Sequence, residues 1–130
     1  MTRRVQAGAI AFRSRGAQPE FLLVTRKNSH QEWLFPKGNV KTDDSLEETA
    51  LKELREEAGV EGVIVDRVGT ITVKMGGERV EVTYFLVHSG FSRPNGEGRK
   101  IRWLTQAEAE PLLNNGKAVN LLRRAARRLS

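Results

Sequence analysis

Two apolar runs bounded by polar residues near the start of the chain predict two strands. Residues 4–13 and 20–26 carry this pattern, and the turn-forming stretch 14–19 separates them. A short apolar patch at 33–35 then runs into Pro36-Lys37-Gly38, and a polar segment follows. The first part of the chain is therefore expected to be two strands and a loop that leads into the next element.

Residues 46–58 have the apolar spacing of a helix that packs on a sheet. Ser45 is suited to begin the helix as its N-cap, Glu48 completes a capping box, and Gly59 ends it where a left-handed residue is favoured. On a helical wheel, one face collects the apolar side chains Leu46, Ala50, Leu51, Leu54 and Ala58. We expect this face to lie against the sheet.

Two further strands are predicted at about 63–74 and 79–88, where Val, Ile and Thr are frequent. Gly76-Gly77 provides the hairpin turn between them. Residues 91–98 contain one proline and two glycines and are expected to form a loop, and residues 101–104 a short strand.

The chain ends in two predicted helices. A second capping box, formed by Thr105 and Glu108, begins a short helix that ends near Asn114, and the last helix runs over about 117–129. The regular strand–helix alternation of a doubly wound parallel sheet is absent. The order of elements therefore predicts a mixed sheet with helices on its faces, an α/β or α+β sandwich.

Composition excludes several kinds of site. The chain has 130 residues and 38% hydrophobic residues, which fits one globular domain spanning 1–130. It has no cysteine, so a disulfide framework, a thiolate zinc site and a cysteine nucleophile are excluded. With two histidines, a zinc centre would consist mostly of carboxylates, which is unusual.

Charge and hydropathy indicate the partners. No apolar run approaches the roughly 20 residues of a membrane-spanning helix, and the N-terminus lacks the features of a signal peptide. We therefore expect a cytoplasmic protein with no membrane partner. Lys and Arg outnumber Asp and Glu by 22 to 16, a formal net charge of +6 that favours an anionic partner.

The helix over 46–58 carries an acidic patch. Glu53, Glu56 and Glu57 are related by three and four positions, so their carboxylates are expected to crowd together. A divalent cation such as Mg²⁺ would turn their repulsion into attraction, whereas the alternative is a solvated acidic face. The preceding Pro-Lys-Gly loop favours the metal site. Glu47 lies in the apolar sector of the wheel, and we hypothesise that it bonds loop backbone or supports the metal site.

Residues 38–60 resemble the Nudix box. The family pattern is Gly, five residues, Glu, seven residues, Arg-Glu, an aliphatic, any residue, Glu-Glu, any residue, Gly and an aliphatic, and the chain reads GNVKTDDSLEETALKELREEAGV over this segment. Asp44 stands where the family has Glu, and Lys52 stands where it has Arg, so both keep the charge. Lys52 loses the bidentate fork that Arg offers a carboxylate.

The resemblance implies a fold and a reaction. The fold is the Nudix α/β/α sandwich with a mixed central sheet, and the reaction is metal-dependent hydrolysis of a pyrophosphate bond. By motif position, Glu53, Glu56 and Glu57 would hold Mg²⁺ or Mn²⁺, with the backbone carbonyl of Gly38 as a further ligand. Asp44, Glu47 and Lys52 would support them. The general base is Glu53, Glu56 or a glutamate outside the box, for which Glu97 is the candidate.

Segments outside the box are similar to those of two substrate groups. Residues 33–38 resemble the entry to the box in diadenosine polyphosphate hydrolases, and residues 98–112 resemble the tail of diphosphoinositol polyphosphate phosphohydrolases. Both substrate groups carry many phosphates, which suits the basic residues Arg26, Lys37, Arg99 and Lys100, with Arg3 and Arg4 as possible additions. Tyr84 either stacks on an adenine or is a core aromatic, and Trp33 and Trp103 are interpreted as structural.

Other functions stay open at this point. Within the family, the alternatives are a nucleoside triphosphate or RNA 5′-end pyrophosphohydrolase, and a module that binds a nucleotide without cleaving it. Outside it, RNA binding would rest on the arginines of the last helix, for which a solvated outer face is the favoured interpretation: Arg123, Arg124, Arg127 and Arg128. The sequence leaves the substrate and the oligomeric state open.

Overall fold

The computed structural model describes residues 3–130, in which seven strands and three α-helices follow one another in mixed order. The strands are β1 (Arg3–Arg15), β2 (Gln18–Thr25), β3 (Trp33–Leu34), β4 (Lys37–Asn39), β5 (Val60–Met75), β6 (Glu78–Ser92) and β7 (Ile101–Leu104). The helices are α1 (Leu46–Ala58), α2 (Gln106–Ala109), which continues as a 3₁₀ turn over Glu110–Leu112, and α3 (Gly116–Arg128). The predicted elements are present, and the short strands β3 and β4 are additions to them.

All seven strands belong to one mixed sheet. Its main order is β3-β2-β1-β6-β5, and β4 and β7 pair with β1 and β2 respectively. β1 pairs in parallel with β6, whereas the other pairs are antiparallel. The mixed sheet predicted from the order of elements is therefore confirmed.

Helices cover both faces of the sheet. α1 packs on one face over a core that includes Leu54 and Phe85, and α2 and α3 pack on the other over a core that includes Tyr84 and Leu122. Along β6 the side chains alternate, so Val82, Tyr84 and Leu86 face α3, whereas Phe85 and Val87 face α1. This is the expected three-layer α/β/α arrangement.

The helix and turn signals operate as the sequence predicts. Ser45 and Glu48 exchange both hydrogen bonds of a capping box, and Thr105 and Glu108 do the same at α2. Gly59 ends α1 with a φ of 71°. A methyl group at Gly59 would lie 1.8 Å from the carbonyl oxygen of Arg93, so the position requires glycine for space as well as for conformation.

The long hairpin of β5 and β6 exceeds its predicted length. β5 begins at Val60, immediately after α1, because Val60 pairs with Ser92 at the end of β6. The register shifts between Val60 and Gly62, between Ile64 and Asp66, and between Arg67 and Gly69. Such bulges disrupt the alternation of apolar and polar positions, which is the signal that sequence reasoning uses. Within residues 3–130, no helix is long and apolar enough to cross a membrane.

Candidate active site

Gly38 and Glu53 are in close contact. β4, which carries Gly38, pairs with β1, and α1, which carries Glu53, packs on both strands. Gly8 of β1 lies opposite Lys37, and Ala7 lies opposite Gly38. A methyl group at Gly38 would lie 2.4 Å from Oε1 of Glu53. The missing side chain therefore makes room for a carboxylate directly against main-chain atoms of Gly38.

Glu57 lies one helical turn further along α1 and is only 3% exposed. Burial raises the pKa of Glu57, a hydrogen bond with Glu53 raises it further, and Arg99 opposes the rise. The charges of Glu53 and Glu97 also raise this pKa. Glu53 and Glu57 thus favour a shared proton when no cation is present, and a cation that took the place of this proton would be attracted to both carboxylates.

Arg99 connects Glu57 to the loop between β6 and β7. Its Nη1 lies 3.3 Å from Oε1 of Glu57, its Nε donates to Oε1 of Glu97 at 2.8 Å, and its side chain is 12% exposed. Nη1 also donates to the carbonyl of Thr25 at 3.2 Å. The structure therefore brings Glu97, the candidate base outside the box, next to α1. In the structure Arg99 pairs with two carboxyl groups, whereas the sequence suggested that Arg99 binds the substrate.

Asn95 fixes the shape of this loop. Its Oδ1 accepts hydrogen bonds from the backbone N–H groups of Glu97 and Arg99 at 3.2 and 3.1 Å, and its Nδ2 donates to the carbonyl of Arg99 at 3.1 Å. Sequence reasoning missed Asn95, although a Pro-Asn-Gly run is a known turn signal. The loop geometry is therefore set by side-chain hydrogen bonds rather than by strand pairing.

The remaining box residues lie further out. The side chain of Glu56 is exposed and forms no hydrogen bond or ion pair within the described residues. The structure therefore does not bring the side chains of all three box glutamates into contact. Asp44 and Lys52 are half-buried. Glu47 is exposed although its angle on the wheel lies in the apolar sector, and its support of the metal site stays a prediction. The first buried residue of α1 is Thr49, two residues after Glu47.

Lys37 lies between the carboxyl pair and a pocket. Its Nζ donates to Oε1 of Gln6 at 2.9 Å, and Nε2 of Gln6 donates to Oδ1 of Asn39 at 3.0 Å. Burial lowers the pKa of Lys37, whereas the negative charge of Glu57 opposes this shift. Gln6 is itself 6% exposed, and sequence reasoning missed it. The only signal was a polar residue inside an apolar strand.

The pocket beside Lys37 has a volume of about 270 Å³ and an aromatic wall. Trp33, Phe35 and Tyr84 contribute to this wall, and Tyr84 contacts Phe35 edge to face at a centroid distance of 5.8 Å. Tyr84 is 6% exposed, and burial raises its pKa. Tyr84 is therefore a core aromatic that also lines the pocket, and its stacking on an adenine stays a prediction. Trp33, interpreted as structural, also lines the pocket.

Of the other predicted basic residues, only Arg26 lines this pocket within the described part of the chain. Arg26 pairs with Glu32 at 2.6 Å. Lys100 is exposed, and its backbone N–H donates to Oγ1 of Thr25 at 3.0 Å. Arg4 pairs with Glu78 at 2.8 Å. Arg3 begins β1, but its side chain lies outside the described part of the structure.

The donors at α1 fit a hard divalent cation. Mg²⁺ prefers oxygen ligands and is commonly held by one or two carboxylates together with substrate phosphates and water. Glu53 and Glu57 supply two carboxyl groups, and the bare backbone of Gly38 lies against the first of them. Within residues 3–130, no three acidic or histidine side chains enclose an ion by themselves. The remaining ligands would therefore come from backbone, solvent and substrate.

Comparisons with known proteins agree with this geometry. The family model of the NUDIX domain matches residues 2–125. Nudix hydrolase 4 of Arabidopsis thaliana is 38% identical over 103 residues, which are 74% of this chain and 48% of that protein. The asymmetrical bis(5′-nucleosyl)-tetraphosphatase of Sus scrofa is 36% identical over 83 residues, which are 59% of this chain and 52% of that protein. The chain thus matches about half the length of these two relatives.

Solved structures share the fold. The binary complex of an Ap4A hydrolase from C. elegans superposes with a TM-score of 0.86 at 22% sequence identity and covers 97% of both chains. At this identity, the likeness establishes the architecture, and the α/β/α sandwich with a mixed sheet is confirmed by it.

Proposed function

Since the chain belongs to the Nudix family, we propose that it is a metal-dependent pyrophosphohydrolase that cleaves a dinucleoside polyphosphate such as diadenosine tetraphosphate. The observation that carries the proposal is the position of Lys37, between an aromatic pocket and the Glu53–Glu57 pair. A nucleoside in the pocket would direct its phosphate chain past this ammonium group towards the carboxyl pair. The name of the Sus scrofa relative and the C. elegans structure support this choice of substrate.

Recognition of the nucleoside is assigned to the aromatic wall of the pocket. Trp33 and Tyr84 offer apolar ring surface to a base, and Lys37 and Arg26 offer positive charge at the same rim. Gln6 holds the Nζ atom of Lys37 in place through its hydrogen bond. Because Lys37 is half-buried, solvent screens its charge less than that of a fully exposed lysine.

Glu53, Glu57 and the backbone carbonyl of Gly38 would hold Mg²⁺ or Mn²⁺, with Glu56 joining from the exposed side of α1. When bound, such an ion neutralises charge on phosphate oxygens and lowers the pKa of water. Glu97 then accepts the proton of the attacking water, and Arg99 positions Glu97 for this step. Glu53 and Glu56 remain the alternative bases.

A hydrolysis screen with Mg²⁺ and with Mn²⁺ tests the proposal. The substrates are diadenosine polyphosphates, nucleoside triphosphates, nucleotide sugars and diphosphoinositols, and each product is identified by chromatography. Glu53→Gln and Glu57→Gln are expected to lose most turnover while circular dichroism keeps its shape. Glu61→Gln is the matched control, because Glu61 forms only an exposed pair with Arg93 at 3.5 Å.

Two results would contradict the proposal. Absence of hydrolysis of every anhydride with either metal would exclude the activity itself. Cleavage of nucleoside triphosphates or diphosphoinositols in preference to diadenosine tetraphosphate would retain the hydrolase but replace the substrate.

A further inference from the structure

A basic groove extends from the pocket along the last helix. α3 packs beside β5, the edge strand of the sheet, and two hollows of about 300 Å³ each lie between them. Arg124 lines both hollows, so they adjoin at its side chain and together follow α3. We call this groove the α3–β5 groove and define it by its five basic residues, Arg67, Lys117, Arg124, Arg127 and Arg128.

The groove also adjoins the pocket. Ile71 lines the pocket and the nearer hollow of the groove. Asn115, the N-cap of α3, lines the pocket, and Arg128 at the other end of the helix lines the farther hollow. At ~1.5 Å of rise per residue, the helix between them spans about 20 Å. That length accommodates several successive nucleotides beyond the one in the pocket.

Charge in the groove is mostly unneutralised. Arg128 pairs with Asp66, and the ammonium group of Lys117 bonds the neutral carbonyl of Thr72. Within residues 3–130, Arg124 and Arg127 form no ion pair. In contrast, the neighbouring Arg123 points elsewhere and pairs with Glu110 at 2.9 Å. Arg123, outside the groove, and Arg128, at its far end, are therefore neutralised by carboxylates, whereas Arg124 and Arg127 within the groove are not.

Gly69 provides the space for Arg124. A methyl group at Gly69 would lie 2.6 Å from Nη1 of Arg124, so the guanidinium rests against bare backbone of β5. β5 has a register shift immediately before this point, between Arg67 and Gly69. Bulges of this kind redirect strands next to functional sites.

The chemistry of the groove favours a nucleic acid strand over a membrane. The large apolar side chains that the structure exposes lie outside it, at Val5, Val63, Val65, Phe91 and Ile101. Thr70, Thr72 and Asn120 add neutral hydrogen-bonding groups between the cations. Proteins that bind single strands combine such a basic groove with aromatic surface for a base, which is what the groove and the adjoining pocket supply.

We propose that the α3–β5 groove binds the sugar–phosphate backbone of a single-stranded nucleic acid whose terminal nucleoside enters the pocket. Arg124 and Arg127 contact phosphates, and Asn120 contacts the strand on the pocket side of Arg124. The inference rests on the proposed function in taking the pocket as a nucleoside site. It goes further because binding requires neither metal nor hydrolysis.

Fluorescence anisotropy with labelled 12-residue strands of RNA and of DNA, each with a free 5′-hydroxyl group and in the presence of EDTA, tests the proposal. The double variant R124Q/R127Q is expected to bind about tenfold more weakly. The slope of log affinity against log salt should fall by about 1.4, since each phosphate contact to a single strand contributes about 0.7. Comparing the affinities for RNA and for DNA identifies the preferred sugar. Binding of either strand that weakens in R124Q/R127Q supports the proposed role of the groove.

The matched control is R15Q/R123Q, which removes the same charge from exposed positions outside the groove. It should bind strands as the unaltered protein does. Three results would overturn the proposal: equal losses of affinity in the two double variants, tighter binding of a duplex than of a single strand, or binding only to vesicles of anionic lipid. Hydrolysis of diadenosine tetraphosphate by R124Q/R127Q should be unchanged, so failure of the groove and failure of the proposed function give different results.

Discussion

Arg99 holds Glu97 against the Glu57 carboxyl group, and one buried guanidinium thereby joins the loop after β6 to the acidic face of α1. This contact places a carboxylate outside the box next to two within it. It also changes the interpretation of Arg99, since a cation already engaged with two acidic groups is poorly placed to bind phosphate as well.

The variant Arg99→Gln distinguishes a role of Arg99 in positioning Glu97 from a role in binding the substrate. Loss of the guanidinium frees Glu97, so kcat should fall about 10- to 100-fold, while KM for the dinucleotide changes by less than about threefold. Steady-state kinetics at saturating Mg²⁺ measure both constants. A rise in KM with an unchanged kcat would instead support the role that the sequence suggested, in substrate binding.

Glu97→Gln tests the general base. Proton transfer by a positioned side chain contributes about 10²- to 10⁴-fold to rate, so kcat should fall by that order. Mg²⁺ affinity, measured by calorimetry, should change little because Glu97 is not among the proposed ligands. A variant that retains full kcat would assign the base to Glu53 or Glu56.

Gly38→Ala tests the contact between Gly38 and Glu53. The new methyl group would lie 2.4 Å from Oε1 of Glu53, so the carboxylate must move away from the backbone. We expect Mg²⁺ affinity to fall about 10- to 100-fold, as it does when groups that orient a ligand are displaced. Gly96→Ala is the control, since a methyl group there has no atom within 4 Å. Equal affinities in the two variants would contradict the assignment.

Gly59→Ala should destabilise the fold through both conformation and space. Gly59 and Gly16 have φ values of 71° and 67°, but only the methyl group at Gly59 meets another atom, Arg93 O at 1.8 Å. Gly16→Ala is therefore expected to cost about 1–2 kcal/mol, the penalty of the left-handed conformation alone. Gly59→Ala should cost clearly more, and urea denaturation measures the difference. Equal losses would mean that α1 and the loop adjust freely.

Acid should weaken the protein through the capping boxes. Hydrogen bonds from Ser45 and Thr105 lower the pKa values of Glu48 and Glu108 below their ordinary 4.5. Because the folded-state pKa is lower, this stabilisation is present above pH 4.5 and is lost as the pH falls through the folded values. Glu48→Gln/Glu108→Gln should flatten the decline in melting temperature below pH 4.5, and an unchanged decline would contradict this origin.

Local signals allowed much of this structure to be predicted. Capping boxes, the left-handed Gly59 and the alternation around Tyr84 depend on residues a few positions apart, and each is confirmed. The box spacing likewise identified Glu53 and Glu57, because one helix determines their relative positions. The family assignment followed from the same segment.

Long-range side-chain pairs could not be predicted in this way. Gln6 and Lys37 are 31 residues apart along the chain, and only the pairing of β1 with β4 brings them together. The same holds for Arg99, whose partners belong to a helix and to its own loop. Glu47 shows a different limit of sequence reasoning. A helical wheel gives the direction of a side chain around the helix axis, but not the turn at which side chains become buried.

The parallel pairing of β1 with β6 has a consequence for biosynthesis. β1 is central in the sheet, yet β6, its neighbour on one side, is translated much later. The pairing of these two strands runs from Arg3 with Arg79 to Phe12 with His88. At about 5–20 residues per second, a ribosome exposes the hairpin of β1 and β2 for several seconds before that neighbour emerges. During this interval the open edge of β1 is available to other chains, and chaperones that shield nascent strands are expected to raise the yield of active protein.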